Sequence, residues 1–251
     1  VRAPLTPALA DLLAYLGEIG YGDVYLRAAA AGARRAPEAA PELVAPAALP
    51  PAALQGSAPA KSSDNAERAA ELTALANTVA GCTRCRLSQG RSKVVFASGN
   101  PNADLMLIGE GPGAEEDRQG LPFVGPAGEL LNRILQAIEI QRDDVYIANI
   151  VKCRPPGNRD PQPDEVAACR GYLEKQIALV QPRVIVALGK IAAQTLLGNE
   201  SPIGQMRGRW VRIQGVPAMV TYHPAALLRN PALKRPTWED MQQVRDRLRA
   251  G

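Results

Sequence analysis

No stretch of 18 consecutive apolar residues occurs in the 251-residue chain, so nothing in it reads as a transmembrane helix. No basic segment precedes the first apolar stripe, and Asp11 and Glu18 interrupt that stripe, which argues against a secretory signal. A cytoplasmic location without a membrane partner is therefore expected. The glycine-rich run from Gly109 lacks a G-K-[ST] ending and is too acidic for phosphate, which excludes a nucleoside-triphosphate loop. Histidine occurs once and phenylalanine twice, so each of these residues has to be accounted for. Only four cysteines are present, and in a cytoplasmic protein they are not expected to pair as disulfides.

What the chain does have is unevenly distributed. The formal charge is +4 with a pI near 9.0. Residues 1–60 carry 4 Lys and Arg against 5 Asp and Glu, whereas residues 205–251 carry 9 against 3. The basic end is the candidate for a polyanion. Thr6-Pro7 followed by Leu9, Leu12, Leu13, Leu16 and Ile19 predicts an amphipathic helical segment over 1–27, packed on the main domain or on a partner. From Ala28 to Ala60 stand 15 Ala and 6 Pro with little aliphatic periodicity, so 28–63 reads as a flexible linker. A protein partner for residues 1–60 is possible.

Residues 64–251 carry the main domain. Helical periodicity from Asp64 to Ala80 ends at Gly81, and Val94 to Phe96 is a candidate short strand. Four apolar runs follow, Leu105 to Ile108, Val145 to Val151, Val184 to Leu188 and Ala218 to Thr221, each bounded by Gly, Pro or charge. Helical patterns separate them, around Leu130 to Ile138, Val166 to Val180 and Ile191 to Leu197, and Trp238 to Leu248 closes the chain. The expected fold is α/β, a three-layer α/β/α sandwich with a mostly parallel four-stranded central sheet.

Ligand sites in open α/β sheets lie beyond the carboxyl ends of the strands. Beyond the first run comes Gly109-Glu110-Gly111-Pro112-Gly113-Ala114-Glu115-Glu116-Asp117, leading to Leu121-Pro122-Phe123-Val124-Gly125. Glycines there allow close backbone approach to a ligand, and the acids supply possible chemistry, although an acidic solvated turn would look similar. Phe123 either stacks on a flat ring or plugs the loop onto the core. Asn149 offers an acceptor and donors that match a pyrimidine edge, or serves as a turn amide. His223 follows the last run in Tyr222-His223-Pro224, opposite the acidic loop by topology. A lone histidine is more often structural, but this placement favours a catalytic role.

The cysteines stand as Cys82-x2-Cys85, then 67 residues, then Cys153-x15-Cys169. A C-x-x-C turn puts two thiolates on one metal or cluster face, and the distant pair can close the site. Spacing alone leaves zinc, an iron–sulfur cluster and unrelated thiols open.

Taken together, Gly109 to Gly113 with Glu116-Asp117, Gly120-Leu121-Pro122-Phe123-Val124-Gly125, Ala127-Gly128, Asn149 with Val151-Lys152-Cys153-Arg154-Pro155-Pro156, and Tyr222-His223-Pro224 resemble the family 4 uracil-DNA glycosylases. These form the iron–sulfur branch of the uracil-DNA glycosylase superfamily. The resemblance covers about residues 66–250 and implies a [4Fe-4S] cluster on Cys82, Cys85, Cys153 and Cys169, structural in role. It implies hydrolysis of the N-glycosidic bond of uracil in single- or double-stranded DNA, by a monomer, within base excision repair.

In that reading the base is flipped out of the stack, Phe123 stacks on it and Asn149 bonds its edge. His223 stabilises the departing uracil oxyanion, and Glu110 with Gly111 orients water. Glu116 supports the loop or the water, and the loop's acids face a sugar that becomes cationic. Leu227, Leu228 and Arg229 form the wedge and a phosphate contact, unless the leucines belong to the core. Arg207, Arg209, Arg212, Lys234 and Arg235, with Arg84, Arg86 and Arg91 beside the cysteines, are further phosphate candidates. Family 1 has a water-activating Asp where Gly111 stands, so a single strong base is not evident. Relatives that trap uracil covalently carry a histidine-containing insertion that a one-histidine chain lacks. The alternative is an iron–sulfur nucleic-acid-binding or electron-transfer module without glycosylase activity.

Overall fold

Along the central strands successive side chains enter two different hydrophobic cores, which is why the corresponding runs show no polar face. The chain is described by a computed structural model over residues 65–250. The expected helix over 1–27 and linker over 28–63 lie outside the described residues. In order come α1 (Asn65–Ala80), β1 (Ser98–Gly99), β2 (Leu105–Gly109), α2 (Ala114–Gln119), α3 (Pro126–Ala137), β3 (Tyr146–Asn149), α4 (Pro163–Val180) and β4 (Val184–Leu188). Then follow α5 (Lys190–Leu197), α6 (Ile203–Met206), β5 (Trp210–Ile213), β6 (Val216–Thr221), α7 (Pro224–Arg229) and α8 (Lys234–Arg249).

The sheet order is β1-β3-β2-β4-β6-β5. Its four inner strands run parallel and are the four expected apolar runs. Two antiparallel edges extend the sheet to six strands. The edge strand β5 hairpins into β6 and stays partly exposed, so it lacks the continuous apolar signature of a buried strand. Val94 to Phe96 is not a strand. Its Val95 N–H instead donates to the Lys152 carbonyl at 2.8 Å, and β1 begins at Ser98.

On one face Met106, Ile108, Ala148 and Ile185 pack with Leu72 of α1 and Leu173 and Ile177 of α4. On the other, Leu107, Ile147, Val186 and Met219 pack with Leu131 of α3, Leu227 of α7 and Val244 of α8. Each such side chain contributes about 1.5–3 kcal/mol on leaving water, so covering both faces holds the sheet rigid under its loops.

Strand β2 has β3 on one side and β4 on the other. The chain therefore leaves it in opposite directions, and a crevice opens beyond the carboxyl ends. Backbone pairing persists past the strands, with Ile150 N–H donating to Gly109 O at 2.9 Å, Val151 N–H to Glu110 O at 3.1 Å, and Gly189 N–H to Thr221 O at 2.9 Å. The loops that border the crevice are thus fixed at their roots.

Candidate active site

Glu110, Gly111, Glu116, Phe123, Asn149 and His223, remote in sequence, all line one cleft of about 490 Å³ at these strand ends. Its volume suits a small flat molecule. Arg229 lies at its border, as do Arg159, Asp160 and Lys190.

Parallel register sets Gly109 beside Asn149. A β-carbon at 109 would lie 2.5 Å from Asn149 Oδ1 and 2.7 Å from the Phe123 ring, so only glycine lets both side chains meet there. Crowding is milder at Gly111, where a methyl would meet Val151 Cγ2 at 2.8 Å. Phe123 is buried at φ 50°, a left-handed conformation that costs a bulky residue roughly 1–3 kcal/mol. Its ring stacks on that of His223 with centroids 5.3 Å apart and planes 30° from parallel.

The acidic loop contains the short helix α2, and its four acids do different work. Glu116 uses both oxygens, accepting from Gly113 N–H and Val124 N–H at 3.1 Å each, and so staples the start of the loop to the Phe123 turn. Asp117 is buried and accepts from Ser92 N–H at 2.9 and 3.0 Å. Glu115 pairs with Arg118 at 2.5 Å on the surface. The expectation that the loop's acids face the sugar is corrected accordingly, because only Glu110 reaches the cleft without a structural hydrogen bond among those described. Burial, together with the negative charge of Asp160 and against the pull of Lys190, pushes the Glu110 carboxyl up to about 7.

Asn149 is 2% exposed, and its Oδ1 has no hydrogen-bond partner. A buried amide oxygen left unpaired costs on the order of 1–3 kcal/mol, and such an atom in a cleft is an acceptor waiting for a ligand donor. His223 caps α7, its Nδ1 accepting from Ala225 N–H at 3.1 Å. That bond assigns the imidazole proton to Nε2. Burial, and secondarily the charge of Arg229, pulls the imidazole down to about 4, so it is a neutral donor at physiological pH.

Two expectations for the DNA face are corrected. Leu227 is 1% exposed in the core beneath α7 and cannot act as a wedge, whereas Leu228 next to it is 45% exposed and Arg229 is exposed. Arg207 is unsuited to phosphate because Asp240 and the Pro236 carbonyl hold it, and Thr221 Oγ1 donates to the same Asp240 at 2.7 Å.

Sequence reasoning missed Arg159, Asp160 and Lys190. Lys190 was accessible by the strand-end rule, since it follows β4 by two residues. Arg159 and Asp160 sit on an irregular loop anchored by the buried Glu165, which accepts from Arg159 at 2.8 and 2.6 Å and from Arg86 at 3.0 Å. No local pattern marks that anchor.

All four cysteines are free and line a single cavity with Arg84, Arg91 and Lys152. Arg91 donates to Cys153 Sγ at 3.1 Å, and Lys152 N–H donates to Cys169 Sγ at 3.3 Å. Burial pushes both of these thiols up, while Arg91 and Lys152 pull the other way. Among the described residues no group of three or more His, Cys, Asp or Glu is placed to hold a single metal ion. No helix among the described residues is long and apolar enough to cross a membrane.

A crevice at the switch point of a parallel sheet, with a buried unpaired amide, a stacked aromatic and a neutral histidine, is a ligand site of the open α/β class. The family model of the Uracil DNA glycosylase superfamily matches residues 96–242. Type-4 uracil-DNA glycosylases from Sulfurisphaera tokodaii and Saccharolobus solfataricus are 41% and 42% identical, covering 70% of this chain and 84% and 86% of theirs. That of Thermotoga maritima is 43% identical over 68% of this chain and 91% of its own. The chain belongs to the type-4 uracil-DNA glycosylases.

Proposed function

We propose that the protein hydrolyses the N-glycosidic bond of uracil in DNA, releasing free uracil and leaving an abasic site for base excision repair. The observation that carries this reading is the buried, unpartnered Oδ1 of Asn149 in one cleft with Phe123 and His223. Uracil presents a donor at N3 and an acceptor at O4, which complements the carbonyl and amino ends of a carboxamide. Cytosine reverses that order and leaves Asn149 unpaired.

The reaction requires the nucleotide outside the stack. Phe123 supplies the ring face, held in place by the Glu116 staple on its loop. As the bond from C1′ to N1 lengthens, negative charge gathers on uracil and positive charge on the sugar. The neutral imidazole of His223 donates from Nε2 to the uracil oxyanion, a contribution on the order of 3–4 kcal/mol for one well-placed donor. Glu110, when ionised, stabilises the cationic sugar and orients the water whose oxygen bonds to C1′. The water's proton leaves to solvent or to Glu110, and uracil departs as its anion and is then protonated. Leu228 fills the space left in duplex DNA, and Arg229 takes a flanking phosphate.

The cysteine site suits a [4Fe-4S] cluster on Cys82, Cys85, Cys153 and Cys169. Its donor set is four free thiols that line one cavity, with N–H···S bonds to Cys153 and Cys169 and cations beside them. The cluster would tie together the turn after α1, the segment after β3 and helix α4. It supplies structure and no step of bond cleavage.

We assign the catalytic unit to 64–251 and expect it to act as a monomer in the cytoplasm, where thiols stay reduced. Incubation with a uracil-containing oligonucleotide, then alkaline strand scission, tests the activity. Cleavage at uracil is expected. Intact strands from a cluster-loaded sample would sink the enzyme reading and favour a non-catalytic iron–sulfur binding module.

A further inference from the structure

Lysine is almost never buried outright, because its ammonium loses its hydration. Lys152 is 1% exposed, among the large side chains most completely enclosed in the described residues. Its Nζ donates to the Asn149 carbonyl at 2.8 Å and to Gln176 Oε1 at 2.5 Å. Gln176 is itself 0% exposed and is turned by its own amino group, which donates to Tyr146 Oη at 3.1 Å and to the Phe96 carbonyl at 3.2 Å. The ammonium is therefore held from two sides. Through its backbone the same residue reaches the cysteine cavity, Lys152 N–H bonding Cys169 Sγ, with Cys153 the next residue along.

The side chain of Asn149 has no protein partner at Oδ1 to hold it. Its direction depends on the peptide plane at the end of β3 and on the close approach to Gly109. Without Lys152 the Asn149 carbonyl would lose its buried donor, and an apolar residue would fill the same volume at less desolvation cost. We propose that Lys152 is a positioning residue: it clamps the strand-end carbonyl of Asn149, and so ties the amide that reads the base to the segment carrying Cys153 and to helix α4, which carries Cys169. This rests on the reading of Asn149 as the uracil-edge contact.

A double-mutant cycle tests it. Lys152→Met keeps the volume and removes the donor. It is expected to lower the single-turnover rate of uracil release and the affinity for free uracil by about tenfold or more, with unchanged visible absorbance and abasic-DNA affinity. In an Asn149→Ala background the same change should cost less than about twofold, because the residue acts through Asn149. Equal losses in both backgrounds would make Lys152 merely structural and overturn the proposal, as would full activity of Lys152→Met. Should Lys152→Met fail to fold, Gln176→Met, which releases the second hold on the ammonium, is measured in the same cycle against the same outcomes. If Asn149→Ala keeps wild-type rate and uracil affinity, the base-reading role fails and the proposal falls with it. If Asn149→Ala is impaired and Lys152→Met is not, only the proposal fails.

Discussion

The strand-end cleft and the cysteine cavity lie four residues apart along the chain, at Asn149 and Cys153, and they are built in opposite ways. The cleft keeps a buried polar atom unpaired, a carboxyl pushed up to about 7 and an aromatic in a left-handed conformation. The cavity pairs two of its sulfurs with N–H donors and flanks them with cations. A site for a passing ligand retains unmet valences that the ligand satisfies, at a cost in stability to the free protein. A site for a resident group has partners arranged around its own ligands. The contrast separates the residues whose loss should harm chemistry from those whose loss should harm the fold.

Substitution on the cavity side should have the largest effect. Cys153→Ser is expected to abolish visible absorbance and lower the thermal midpoint by about 10 °C or more, with activity lost alongside. Retained colour and fold would erase the distinction between the two sites. On the cleft side, His223→Ala should lower single-turnover uracil release about 10²–10³-fold while DNA affinity stays within about threefold. Parallel losses in rate and affinity would make His223 a structural cap of α7 and nothing more.

Glu110→Gln sharpens the comparison because activity and stability should move in opposite directions. Wild-type activity is expected to rise through pH 7 as the carboxyl ionises, and the variant should lose that limb and about 10²-fold in rate. A folded carboxyl that holds its proton up to about 7, against an ordinary 4.5, gives stability that is full below 4.5 and declines as pH rises through 7. The variant removes this decline. Its unfolding free energy should exceed that of the wild type more at about pH 8 than at about pH 5, by on the order of 1 kcal/mol after allowance for partial exposure. A pH-independent difference would contradict the electrostatic account. The smallest effect is expected from Leu228→Ala, about fivefold on duplex substrate and none on single strands, measured as the ratio of the two rates.

Buried strands were legible in the sequence because both faces of β2, β3, β4 and β6 are covered, which leaves uninterrupted apolar runs. Strand β5 was not, since Trp210-Val211-Arg212-Ile213 is half-exposed and gains its identity only by pairing with β6. Helix α2 is six residues of mostly charged sequence with no apolar stripe, so the loop around it looked unstructured. The cleft residues from Glu110 to His223 could be named because they cluster at strand ends: Glu110 and Gly111 directly follow β2, Phe123 stands farther along the same connection, Asn149 closes β3 and His223 follows β6 by two residues. The division of labour among Glu110, Glu116 and Asp117 could not, because it depends on which backbone amides they reach. Leu227 and Leu228 are adjacent and alike in sequence, and only the docking of α7 on the core distinguishes the buried one from the exposed one.

The pairing of strands remote in sequence has a consequence for synthesis of the protein. Glu110 and His223 meet only when β6, whose last residue is Thr221, has docked beside β4. Contacts of such long sequence separation form slowly, and they need every strand up to β6 to be present. A nascent or truncated chain ending before β6 holds Phe123 and Asn149 but lacks His223, the proposed donor to the leaving base. In the proposed reading, base excision, which damages DNA if misdirected, would thereby be withheld until β6 and the residues after it have docked.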